Sequence, residues 1–196
     1  MIHDLDGTLE ALLRSELPSE LSGQVAISFA PPDSDFPPSA VTPPAIDLFL
    51  YDVRENTELR SNDALLERAN GSAVSHPPPV RMDCSYLITA WPSESSPTPA
   101  EDEHRLLGEV IVVLLRHSTI PEPMLQGSLQ NQELPLPTST LQPGKLQSAG
   151  EFWQAMGGKP KAAVSYTVTI AVQPYGPREL GPLVTEKRLR YEQLPE

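Results

Sequence analysis

The sequence predicts an α+β domain built on a mainly antiparallel sheet, and three observations lead there. Two long segments place apolar residues at helical spacing. Three others alternate apolar and polar residues, as half-buried strands do. Their order is helix, strands, helix, strand, which is the pattern of an α+β domain. The connections are unusual. There are 23 prolines in 196 residues, about 12% against a usual ~5%. Proline donates nothing to a strand ladder and breaks helix interiors, so these residues mark long, stiff, proline-rich loops.

The first helix covers residues 3–16, with Ile2, Leu5, Leu9, Leu12 and Leu13 on one face. Asp4 and Asp6 suit the positive end of its dipole, and Pro18 stops it. Residues 24–30 alternate, with Val25, Ile27 and Phe29 pointing one way, and read as a strand. After the loop from Pro31 to Pro44, Ile46 to Val53 is apolar on both faces at its middle, which predicts a central strand. Residues 54–79 are polar, with a short helical turn expected within Asn62 to Ala69, and close on Pro77-Pro78-Pro79.

Val80 to Trp91 is the clearest strand. Val80, Met82, Cys84, Tyr86, Ile88 and Ala90 share one face. It would span roughly 40 Å. Cys84 is the one cysteine and reads as a small core residue, with no intrachain disulfide available. The long central helix, about 101–117, opens on Glu101, Asp102 and Glu103. Its apolar stripe is Leu106, Leu107, Val110, Ile111, Leu114 and Leu115. Val112 and Val113 add apolar surface elsewhere, so burial on more than one side is expected. Residues 120–146 read as irregular. Ser148 and Glu151 have capping-box spacing and open a short helix, about 149–156, carrying Phe152, Trp153 and Met156. The last strand is Ala162 to Val172. Residues 1–173 are therefore expected to form one α+β domain and residues 174–196 a C-terminal extension.

A chain of this length can bury roughly 70% of its unfolded surface, enough for a real core. Its net charge of −12 repels phosphate backbones and anionic membranes, which argues against nucleic-acid and direct membrane partners. The start, Met1-Ile2-His3-Asp4, has neither the basic nor the apolar character of a signal peptide, and no apolar run approaches the ~20 residues that span a bilayer. Synthesis in the cytoplasm is expected, where the triplet Asn70-Gly71-Ser72 carries no glycan.

One motif invites an enzymatic reading. Asp4-Leu5-Asp6-Gly7-Thr8-Leu9 matches the first motif of haloacid-dehalogenase-type phosphatases, in which the first Asp is the nucleophile and the second the general acid/base. That chemistry needs both carboxylates at the tip of a central parallel strand. Only three residues precede Asp4, and the flanking pattern is helical. His3, His76, His104 and His117 show no metal-ligand spacing, and His104 beside Glu101 and Asp102 reads as a surface cluster. There is no Gly-x-Ser-x-Gly elbow or phosphate loop; Gly157-Gly158-Lys159 lacks the flanking residues of one. No catalytic residue, metal or cofactor is predicted.

Other segments resemble a known family. Leu48-Phe49-Leu50-Tyr51-Asp52-Val53-Arg54-Glu55-Asn56 followed by Leu59-Arg60 is similar to a signature of the cap, or tail-terminator, proteins of extracellular, phage-tail-like contractile injection systems. Asp83 to Trp91, Glu103-His104-Arg105-Leu106-Leu107-Gly108, and Phe152-Trp153 with Tyr166-Thr167-Val168-Thr169 follow in the same order. The likeness covers roughly residues 1–173. It implies a structural, non-enzymatic protein. Six copies would form a ring on the distal end of the inner tube and contractile sheath, terminating assembly and anchoring the last sheath ring within the particle. An adaptor coupling the sheath end to a membrane or cargo factor is the alternative, with the phosphatase behind it. The strands Val80 to Trp91 and Ala162 to Val172 are candidates for offering an edge to a neighbour, the latter through Tyr166, Val168 and Ile170. Lys187, Arg188, Arg190 and Tyr191 reverse the local charge and are candidates for docking on an acidic surface.

Overall fold

The computed structural model describes residues 1–33, 36–69, 72–142, 149–182 and 186–189. Helix α1 (Ile2–Glu16) leads through a single turn, α2 (Ser19–Ser22), into strand β1 (Ala26–Ser28). Arg14 locks this corner by donating to the carbonyls of Ser22 at 2.8 Å and Val25 at 2.9 Å. Then follow β2 (Ala45–Glu55), β3 (Leu65–Ala69), β4 (Ser72–His76), β5 (Val80–Trp91) and helix α3 (Pro99–Arg116). Two 3₁₀ turns, Glu122–Met124 and Gly127–Asn131, precede β6 (Thr138–Thr140), α4 (Ala149–Met156), β7 (Ala163–Val172) and β8 (Arg178–Pro182).

The main sheet has the order β1-β2-β5-β7-β6. Only β1 and β2 run parallel; the other ladders are antiparallel. In the register, Ile88 of β5 stands between Leu48 of β2 and Val164 of β7, and Tyr86 between Leu50 and Tyr166. This face packs on Leu5, Leu9, Leu12 and Leu13 of α1 and on Leu106, Leu107, Val110, Val113 and Leu114 of α3. The irregular stretch after α3 contributes Ile120, Leu125, Leu129 and Leu136 to the same core.

On the opposite face, Phe36 stacks at 4.4 Å on Trp91, and Phe152 of α4 lies 6.2 Å from Phe49. A bulge at Tyr51 of β2 lets its hydroxyl reach Ser165 at 3.2 Å. Asp47 is fully buried on this face, in register with Thr89.

Several expectations are corrected. Helix α3 is buried on one side only, because Val112 and Leu115 are exposed. The turn expected within residues 62–69 is strand β3. β2 is flanked by β1 over Ala45–Asp47 alone, so it is central only at its start. Ser148, the expected cap of α4, lies outside the described residues.

Candidate assembly interface

The two carboxylates of the phosphatase-like motif face different parts of the fold. Asp4 accepts from the Ser128 hydroxyl at 2.6 Å and from its backbone N–H at 3.3 Å, joining α1 to the turn Gly127–Asn131. The Met1 amino group, and then Ser128, hold its carboxyl well below the ordinary range. Asp6 instead accepts from the Tyr86 hydroxyl at 2.7 Å. Thr8 completes the seam: its Oγ1 donates to the Asp4 carbonyl at 2.7 Å and accepts from the N–H of Gln126 at 3.0 Å. Both aspartates sit on a helix, not at a strand tip, and each is tied to its own structural partner. Among the described residues no group of three or more His, Cys, Asp or Glu side chains converges as a metal site would.

Neither strand expected to offer an edge has one to offer. β5 lies between β2 and β7. The outer side of β7 carries β6 along Tyr166–Val168, and the Thr169 N–H donates to the Pro137 carbonyl. Farther along, the Gln132 side chain imitates a strand, donating to the Ala171 carbonyl at 2.8 Å and accepting from its N–H at 3.1 Å. Tyr166, Val168 and Ile170 are fully buried. Their side chains belong to the core, because α1 and α3 need that face of the sheet.

Among the described residues, edges without a strand partner lie elsewhere: on β1, β6 and β2 beyond Asp47 in the main sheet, and on a second sheet. That sheet is three-stranded, with the order β3-β4-β8. It repeats β2-β5-β7 strand for strand: β3 follows β2, β4 precedes β5 across Pro77–Pro79, and β8 follows β7. It is therefore an arm that prolongs the middle of the main sheet beyond a break. The root is clamped at Asp83 of β5, whose Oδ1 accepts from Asn56, the residue that follows β2, at 3.0 Å and from Thr169 of β7 at 2.6 Å. Gln173 adds a bond to the Pro77 carbonyl at 2.7 Å. Leu65, Leu66 and Leu180 on this arm are 65%, 50% and 58% exposed.

The sequence profile of the Pvc16 N-terminal domain matches residues 4–186, a span that takes in the main sheet, both long helices and the arm. The chain belongs to that family.

This Pvc16 N-terminal domain is similar to a cryo-EM structure described as the PVC sheath/tube terminator, in the extended state, of an extracellular contractile injection system. The two share 26% identity at a TM-score of 0.73, over 99% of this chain and 64% of that one. It also shares its fold with the anti-feeding prophage cap, described as a tube terminating cap. There the identity is 23% and the TM-score 0.65, over 98% of this chain and 61% of the other. This chain thus spans somewhat under two thirds of both. A comparison with curated protein sequences finds no match.

The segments that carried the resemblance have structural work in the Pvc16-type domain. Asn56 also accepts from the N–H of Leu59 at 2.9 Å, turning the chain from β2 toward the arm. Glu103 of α3 pairs with Lys161, whose ammonium lies 4.4 Å over the Trp91 ring, fastening α3 to the lead-in of β7.

Lys187 and Arg188 are exposed. Arg188 pairs with Glu186 at 2.7 Å. Arg190 and Tyr191 lie outside the described residues. β3 and β4 escaped the sequence reading. Their register, with Ala69 opposite Ser72, leaves two residues between them, and those are Asn70-Gly71, the strongest short-range hairpin signal.

Proposed function

We propose that this domain acts as a cap, or terminator, of a contractile injection system. Copies of it, six by the family resemblance, would form a ring on the distal end of the inner tube and sheath and hold the last sheath ring. The observation that carries this reading is the likeness, at 26% identity over 99% of the chain, to a sheath/tube terminator.

Elementary assembly physics supports it. Tubes and sheaths grow by head-to-tail contacts that do not close on themselves, so growth stops only when something binds the end without presenting another such end. A rigid domain suits that task, since loops stiffened by proline lose less entropy on docking. We read the domain as non-catalytic, because Asp4 and Asp6 serve Ser128 and Tyr86. Synthesis in the cytoplasm and incorporation into the particle follow from the same reading. Among the described residues no helix is long and apolar enough to cross a membrane.

Deleting the gene should give tubes and sheaths of uncontrolled length, or particles that fall apart, measured by electron microscopy. Full-length, uniform particles from the deletion strain would sink the proposal. Complementation with Asp4→Asn should restore normal lengths; a failure by a folded variant would reopen the phosphatase reading.

A further inference from the structure

We propose that the segment Phe36–Pro44 is a gate over Asp47: it lies closed while that carboxyl is protonated and lifts from the sheet when the carboxyl ionises. The inference is independent of the cap reading and concerns the outer face of the main sheet, away from α1 and α3.

Topology puts the segment there. β1 and β2 are parallel neighbours, so the chain between Ser28 and Ala45 must cross back over one face of the sheet. Helices α1 and α3 hold the other face, and Phe36 stacks on Trp91, whose side chain belongs to this one. Along this face of β2 the order is Ala45, Asp47, Phe49. Ala45 stands in register with Trp91, the partner of Phe36, and Phe49 meets Phe152 of α4. Asp47 therefore sits between two aromatic contacts, and none of its surface is exposed.

A charge there is strongly disfavoured. Neither Asp47 oxygen has a well-formed hydrogen bond. The segment Phe36–Pro44 and β1 contain no ionisable side chain, and β5 presents Thr89 and Trp91. The charged groups on neighbouring elements are Asp33 before the segment, Glu94 across a cleft from it, Glu151 of α4, and Lys161, whose ammonium is engaged by Glu103 and the Trp91 ring. None of them acts on the Asp47 carboxyl, which burial governs with a smaller opposing effect of Ser28.

The segment is the weakest part of this enclosure. Four of its nine residues are proline and donate no backbone hydrogen bond. Among the described residues, its backbone bond to the sheet is at its very end, from the Ala26 N–H to the Pro44 carbonyl at 2.9 Å; the Val41 N–H turns back to the Pro38 carbonyl. A cleft of about 470 Å³ between Pro37–Pro43 and Ser93–Ser95 leaves it room to move. Opening lets water solvate the carboxylate, so the open state favours the ionised form and the closed state the protonated one. The open fraction therefore rises with pH, about tenfold per unit between ~5 and ~7, and levels off above ~7, where the closed state has lost its proton too.

The test uses the full chain with Ala45→Cys, which puts a thiol under the gate, since Ala45 is fully buried beside Trp91. Cys84 is buried on the helix side and reports global unfolding in the same molecule. Labelling by a maleimide is followed from pH 5 to 8.5 and divided by the rate of a free thiol at each pH. The introduced thiol should react faster than Cys84, and its corrected rate should climb about tenfold per pH unit to ~7 and then level. Adding Asp47→Asn should flatten the climb. Acrylamide quenching of tryptophan fluorescence in the unsubstituted chain gives a second reading: it should rise over the same range, and Asp47→Asn should remove the rise. A corrected labelling rate that is flat with pH, or equal to that of Cys84, would overturn the gate. A climb that Asp47→Asn leaves intact would do the same, because another group would then drive it. Failure of the cap reading is seen separately, in particle length.

Discussion

The Tyr86 hydroxyl donates a 2.7 Å hydrogen bond to Asp6 Oδ1, joining the first turns of α1 to the middle of β5 across 80 residues of chain. Burial raises the Asp6 carboxyl above its ordinary range, and the bond from Tyr86 works against that rise. Tyr86→Phe strands a partly buried acceptor and should cost about 1–2 kcal/mol in urea unfolding. Asp6→Asn keeps an acceptor and should cost less. No loss in Tyr86→Phe would mean that the ring of Tyr86 matters and its hydroxyl does not.

Gly127 is the hinge of the contact with Asp4. Its φ is 53°, and a Cβ built there would overlap the Asp4 carboxylate. Gly127→Ala should therefore lower stability by about 2 kcal/mol, the sum of left-handed strain and displacement of Asp4. Asp4→Ala in the same chain removes the overlap but not the strain. The double variant should be less destabilised than the two single losses added together, read as a double-mutant cycle in denaturant.

Asp47 makes stability depend on pH. Neither carboxyl oxygen has a well-formed hydrogen bond. Burial pushes the group up to about 7 from an ordinary 3.8, against a smaller lowering by Ser28. Between those values the folded chain holds a proton that the unfolded chain has released. Its contribution is complete below pH ~4 and is lost as pH rises through ~7. Asp47→Asn should flatten the pH dependence of Tm between pH 5 and 8 and stabilise the domain at pH 8 by on the order of 3 kcal/mol. An unchanged profile would show that Asp47 stays ionised.

Lys161 joins Glu103 to the Trp91 ring with little exposure of either charged side chain. Lys161→Met keeps the stem but leaves Glu103 without this cation, and should cost about 2 kcal/mol. Lys161→Arg should recover much of it. If Lys161→Met matches wild type in thermal unfolding, the pair is ornamental.

Where a segment's conformation depends on its own residues, it was legible. The apolar stripe of α1, the twelve-residue alternation of β5 and that of β7 put their core faces where the structure has them, because period and side-chain direction are local properties of the backbone. Aspartates at the start of a helical pattern also sufficed to argue that the phosphatase motif has no strand to stand on. Which edges stay open was not legible. β7 looked available until Gln132 and β6, both distant in sequence, were found against it. The hairpin of β3 and β4 gave a local signal in Asn70-Gly71 that polar composition obscured. β8 is a strand because β4 lies beside it, and no pattern in Arg178–Pro182 announces that pairing. Ladder hydrogen bonds join residues that chain order keeps apart, so only the folded chain decides which strands are interior and which remain free to meet another molecule.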